Sequence, residues 1–148
     1  MKSSLVGGRA QAREFRILSI HMKNIFRSIG AVLAGIIAGA ALSIGTDFAL
    51  AALHVFPPVA STSFLPWMLV LALFYRSIYT VVSGYVTAML APQRPMLHVT
   101  ILGIIGIIVS AIGAVVGWNL SQHWYPLALI VIALPCAWLG GKLRIYNR

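Results

Sequence analysis

Residues 28–56 read SIGAVLAGIIAGAALSIGTDFALAALHVF. The stretch carries one formal charge, Asp47, and exceeds the roughly 18 apolar residues that suggest a membrane-spanning helix. Three more apolar runs follow, at 66–91, 96–118 and 124–141, joined by short connections. Residues 28–148 therefore read as one four-helix transmembrane domain, with 1–27 as a basic leader. The expected fold is all-α, an integral membrane antiparallel four-helix bundle. Composition agrees: only 9% of the residues are charged, against roughly 25% in a soluble domain.

The net charge of +9 invites a nucleic-acid reading, but its distribution opposes that. Lys2, Arg9, Arg13, Arg16, Lys23 and Arg27 precede the first span, Arg94 lies between the second and third, and Lys142, Arg144 and Arg148 end the chain. In a four-span hairpin stack all of these fall on one side, whereas connections 57–65 and 119–123 hold no Lys or Arg. The positive-inside rule then places both termini and the turn at 92–95 in the cytoplasm. Trp67, Trp118, Trp124 and Tyr125 mark one boundary and Trp138 and Tyr146 the other, as aromatic belts do. The basic lead-in and the long apolar run behind it do not fit a cleaved signal peptide.

Within the leader, Phe15, Leu18, Met22, Ile25 and Ile29 recur at three-and-four spacing. Arg9, Arg13, Arg16, Lys23 and Arg27 fall on the opposite side. The spacing predicts an N-terminal amphipathic helix lying at the interface, its basic residues on anionic headgroups and its apolar stripe toward acyl chains or a partner. Gly35 and Gly39 in the first span, and Gly113 and Gly117 in the third, form small-xxx-small patterns suited to close helix packing, within the chain or in a homo-oligomer. Pro57-Pro58 is expected to end the first span, Pro66, Pro95 and Pro126 to open the later ones, and Pro135 to kink the fourth.

Asp47 is one of two acidic residues, and an ionisable group at that depth is costly unless answered. Arg76 answers it by position. Asp47 lies ten residues before Pro57 and Arg76 ten after Pro66, so both sit about 15 Å below one boundary at a rise of roughly 1.5 Å per residue. Ser43 and His54 accompany Asp47 on one helical face, and Thr80, Ser83 and Thr87 accompany Arg76 on another, giving a polar seam. The first expectation is an intramembrane ion pair that locks the register of two helices. The second is a polar cavity that binds or conducts something. Because Arg keeps its proton and favours an ionised carboxylate beside it, the pair suits a proton carrier badly.

Catalytic readings are thin. Asp47 and His54 stand about 10 Å apart along a helix axis, beyond reach for a Ser43–Asp47–His54 triad. His21, His54, His98 and His123 are divided between the two faces, and the lone Cys136 supports no cysteine cluster. No phosphate-binding, zinc or haem motif is present, so no cofactor, metal or enzymatic activity is expected.

From about residue 44 onward, several strings resemble those of small bacterial four-span membrane proteins with no assigned activity. They are Gly45-Thr46-Asp47, Val55-Phe56-Pro57-Pro58, Tyr75-Arg76-Ser77-Ile78-Tyr79, Gly84-Tyr85-Val86-Thr87-Ala88 and Leu90-Ala91-Pro92, with Trp124-Tyr125-Pro126-Leu127-Ala128-Leu129 and Trp138-Leu139-Gly140-Gly141-Lys142-Leu143. The architecture is also similar to that of the small multidrug resistance transporters, four-span proteins with a carboxylate in the first span. The basic leader and the intramembrane Arg set this chain apart from them. The resemblance implies a multi-pass protein of a bacterial inner membrane. The expected role is a non-enzymatic accessory or assembly subunit packing against other membrane helices, in contact with anionic lipid and not with nucleic acid. The alternative is a small transporter or channel using the polar seam.

Overall fold

In a computed structural model the chain is described over residues 2–56, 65–118 and 122–147, with side chains from Glu14 onward. The described residues form four helices and no strand: α1 (Lys2–Ala52), α2 (Pro66–Leu90), α3 (Pro95–Val116) and α4 (Trp124–Tyr146). Each is long and apolar enough to cross a membrane.

The first departure from expectation is α1. The leader and the first span are one continuous helix, because nothing between residues 2 and 52 is a proline and its glycines, even the adjacent Gly7 and Gly8, weaken a helix without blocking it. From Glu14 to Gly30 no side chain is buried, and the first buried residues are Ala31 and Val32. The 17 residues of α1 from Glu14 to Gly30, on the order of 25 Å, therefore lie beyond the packed part of the bundle.

The end of α1 is the second departure. The helix stops at Ala52 through backbone hydrogen bonding, before the proline pair, and Pro57 and Pro58 lie outside the described residues. Val55 N–H donates to Leu50 O at 2.9 Å and His54 N–H to Ala51 O at 3.0 Å. His54 has φ 57°, the left-handed conformation that closes such a motif and that glycine most often supplies. His54 is thus a helix terminator and not a member of the seam on α1. Replacing it with Gly should raise stability by about 0.5–1 kcal/mol by removing the Cβ strain, as read in reversible SDS unfolding from mixed micelles.

Pro66 and Pro95 open α2 and α3 at first-turn positions, where a missing N–H costs little. Helix α4 begins two residues before Pro126, runs through Pro135 and continues to Tyr146, past the expected end at 141. Arg144 in its last turn complements the helix dipole.

Lipid gives helices no hydrophobic reason to associate, so close approach and dispersion decide the packing. On α1, a Cβ at Gly35 would meet the Thr87 hydroxyl and the Ser83 carbonyl, and one at Gly39 would meet the Ser83 hydroxyl. These two glycines seat α1 on α2. Gly113 and Gly117 behave differently. A Cβ at Gly113 meets nothing within 4 Å, and one at Gly117 meets only the carbonyl of Gly113 on its own helix. They do not bring helices together inside this chain. The tightest crossing is α2 on α4, which the sequence reading passed over. A Cβ on Gly84 would strike the Ala137 carbonyl, and one on Gly140 would strike the Val81 carbonyl. The available signal was the small residues Ala133, Ala137, Gly140 and Gly141 on α4, of which Ala137 and Gly140 meet α2 while Ala133 and Gly141 face Gly106, Met96 and Val99 of α3.

An apolar cluster of Val32, Ala88, Val99, Leu102 and Ala137, flanked by Ile36 and Ile105, draws all four helices together at one end. Gly35→Ala should cost about 1–3 kcal/mol, because the new methyl group meets a buried hydroxyl and a backbone carbonyl. Gly45→Ala, with nothing within 4 Å of its Cβ position, should be neutral or gain up to about 1 kcal/mol from helix propensity. The same SDS titration separates the two.

Candidate functional site

Asp47 lies five residues before the end of α1, and Arg76 lies in the middle of α2. Arg76 Nη2 donates to Asp47 Oδ2 at 2.7 Å. The other carboxylate oxygen, Oδ1, accepts the Tyr75 hydroxyl. One helical turn along α2, Tyr79 and Thr46 share a hydroxyl–hydroxyl hydrogen bond of 2.8 Å. The tyrosine rings are tilted against each other with centroids 5.7 Å apart. Asp47 is therefore held by two donors on successive residues, and its neighbour Thr46 is tied down as well. The sequence reading named Arg76 and missed Tyr75 and Tyr79, although their four-residue spacing beside Arg76 put all three on one side of α2.

The pair is not sealed in the bundle. Both side chains remain 36% exposed. Asp47 and Arg76 border a cavity of about 520 Å³, walled by residues of all four helices including Leu69, Gly113, Gly117 and Tyr125. Arg76 also borders a second cavity of about 270 Å³ that includes Ser43, Tyr79, Thr80 and Ser83. Ser110 faces both. The ion pair thus stands where two cavities meet. Tyr125, read from sequence as part of an aromatic belt, belongs to the wall of the larger one.

The hydroxyls of the seam are mostly spent locally. Thr80 donates to the Arg76 carbonyl at 2.8 Å and Ser83 to the Tyr79 carbonyl at 2.9 Å. Such i−4 bonds satisfy a hydroxyl within its own helix and leave little for a ligand. Thr87 is fully buried, and its Oγ1 has no hydrogen-bond partner among the described residues. It packs over Gly35 and borders neither cavity. The structure therefore gathers Ser43, Thr80 and Ser83 around the smaller cavity, places Asp47 at the larger one and Arg76 at both, and sets His54 and Thr87 apart.

Arg16, Lys23 and Arg27 lie on the projecting part of α1, where no side chain is buried, and the side chains of Arg9 and Arg13 lie outside the described residues. At the far end of the chain, the Lys142 ammonium sits 4.0 Å from the Trp138 ring centroid, a cation–π contact that ties a basic residue to an aromatic one. Among the described residues no three His, Cys, Asp or Glu side chains come together as a metal site would need. Comparison of the chain with protein-family models, curated proteins and solved structures finds no match.

Proposed function

We propose that this protein is a non-enzymatic membrane subunit whose α1 packs against helices of a partner or of a second copy. The observation that carries the reading is the bare projection of α1. Phe15, Leu18, Met22, Ile25 and Ile29 are each more than half exposed, on the same helix whose Val32 and Ile36 pack into the bundle. A single helix with an uncovered apolar stripe stands alone poorly in water. The bundle proper uses helices of 22–25 residues, each sufficient to span a membrane, so the additional length of α1 serves something outside it.

The spans run antiparallel in this reading, as the pairs Asp47–Arg76, Thr46–Tyr79, Gly39–Ser83 and Gly35–Thr87 suggest: α1 numbers fall while α2 numbers rise. Both termini face the cytoplasm of a bacterial inner membrane, with Arg9, Arg13, Arg16, Lys23 and Arg27 over anionic headgroups. The test is the mass of the full chain extracted into native nanodiscs, compared with Leu18→Arg and Ile25→Arg. A wild-type assembly that falls to single chains in both variants supports the reading. A wild type that is always a monomer overturns it.

A second reading, a small transporter or channel, is favoured by one feature: an ion pair standing between two cavities. It requires solute flux in reconstituted liposomes that Asp47→Asn changes. Tight liposomes under every imposed gradient exclude it.

A further inference from the structure

The larger cavity has a chemistry of its own. Its volume of about 520 Å³ lies inside the roughly 300–1,000 Å³ range of small-molecule sites. Most of its wall is apolar, including Met68, Leu69, Ala72 and Leu129, and its polar groups are confined to the Asp47–Arg76–Tyr75 cluster, Tyr125 and Ser110. The hydrogen-bond balance in that cluster leans toward donors. Both Asp47 oxygens already accept, one from Tyr75 and the other from Arg76. The guanidinium has five N–H donors, and Asp47 takes one of them, from Nη2. Nε is buried, out of reach of a ligand and with no hydrogen-bond partner among the described residues, while the side chain as a whole is 36% exposed. Each Asp47 oxygen keeps a lone pair, but the exposed Nη groups of Arg76 keep more N–H donors than the carboxylate keeps lone pairs, so the larger unused capacity of the cluster is donor capacity, on a site whose formal charges cancel.

That balance selects a ligand class. An anion would be drawn to Arg76 but would meet the Asp47 carboxylate on the same guanidinium. A cation would meet Arg76 beside the carboxylate. An uncharged molecule with carbonyl oxygens accepts the remaining N–H donors and disturbs neither partner. Apolar walls at membrane depth require the rest of the molecule to be hydrocarbon. We propose that this cavity is a binding site for one uncharged, carbonyl-bearing lipid, its oxygen on the Arg76 guanidinium and its hydrocarbon against α2, α3 and α4. Gly113 keeps the space open. It borders the cavity, and a Cβ there meets nothing within 4 Å, so the absence of a side chain serves the void and not a helix contact. The site does not depend on whether α1 engages a partner.

Gly113 also supplies a variant that separates binding from folding. Gly113→Leu extends a side chain into open space and should leave the unfolding midpoint of the ligand-free protein unchanged or raised. The experiment titrates the full chain, in dodecylmaltoside micelles that carry no carbonyl group, with decylubiquinone and separately with dioctanoylglycerol. Two carbonyl-bearing lipids of different origin are thereby compared with dodecanoate and dodecylamine, an anion and a cation of equal chain length. The thermal midpoint reports occupancy, since a ligand that binds only the folded state raises it with concentration.

The expected result is a saturable rise with at least one neutral probe. Its apparent Kd should be at least about tenfold tighter than for either charged probe, and at least about tenfold weaker in Gly113→Leu. A response to decylubiquinone alone identifies a quinone site, and a response to dioctanoylglycerol alone an acylglycerol site. If a charged probe binds as well as the neutral ones, or if Gly113→Leu retains wild-type affinity while folded, the proposal is overturned. A flat titration with all four probes overturns it equally.

Discussion

Asp47→Asn and Arg76→Gln each destabilise the folded protein by about 2–3 kcal/mol, and the double variant recovers most of the loss. Removing one partner of a fully buried pair costs about 3–5 kcal/mol, mainly because the remaining charge is left unanswered. Both side chains here are 36% exposed, so the survivor is not enclosed by protein and can turn away from the packed interior, and the loss is smaller. The double variant leaves two neutral amides at the same level, with no charge left over. Tyr75 adds a third corner. Its hydroxyl donates to the Asp47 carboxylate, and a hydrogen bond to a charged group contributes about 1.5–3 kcal/mol. Tyr75→Phe should therefore cost about 1.5 kcal/mol with Asp47 present, and clearly less when it is introduced on top of Asp47→Asn. Double-mutant cycles in SDS-titrated micelles measure both couplings. Additive losses for Asp47 and Arg76 would show that the pair does not act as a lock. A double variant that folds but loses partner assembly, flux or lipid binding would show that the pair serves function as well as register.

Gly140→Ala is the most damaging single methyl group the structure allows, at about 3 kcal/mol, the upper end of the cost of overpacking. The added Cβ would strike the Val81 carbonyl oxygen and come within 2.8 Å of the Tyr85 backbone nitrogen. Side chains move aside at small cost, but two helix backbones part only by giving up the contacts along their whole crossing. Gly84→Ala meets the Ala137 carbonyl in the same interface and should cost nearly as much. The two losses should not add. Once one methyl group has separated α2 from α4, the second finds the space already open, so the double variant should lie well short of the sum. Additivity within about 0.5 kcal/mol would mean that each helix yields locally and that the crossing is not rigid. Gly30→Ala, with nothing within 4 Å of its Cβ position, is the matched control.

Length and hydropathy were legible in the sequence, and rotation about a helix axis was not. Depth counting puts Asp47 level with Arg76, and the structure holds them at 2.7 Å. It assigns His54 to the same face as Asp47 by assuming a helix through residue 56. A left-handed residue ends that helix early, and no periodicity announces it. Gly113-x-x-x-Gly117 looks like the packing motif of Gly35-x-x-x-Gly39, yet one lines a void and the other a helix contact. The spacing is identical. What differs is the neighbour, and a neighbour is a property of the assembled bundle.

The amino-acid sequence by itself determined that the chain is all-α, with four helices able to cross a membrane, and that one carboxylate and one guanidinium share a depth. Those features follow from apolar run length and from a constant rise per residue, which are local quantities. Only the tertiary structure decided that Tyr75 completes the Asp47 site, that the pair borders two cavities, that α2 and α4 cross at Gly84 and Gly140, and that α1 continues far past the bundle. Each depends on which side of a helix meets which other helix. In a chain this apolar, nearly every side of every helix is compatible with lipid, so hydrophobicity alone cannot select the side that packs. Small residues and a few polar bonds select it, and their effect exists only when the helices stand together.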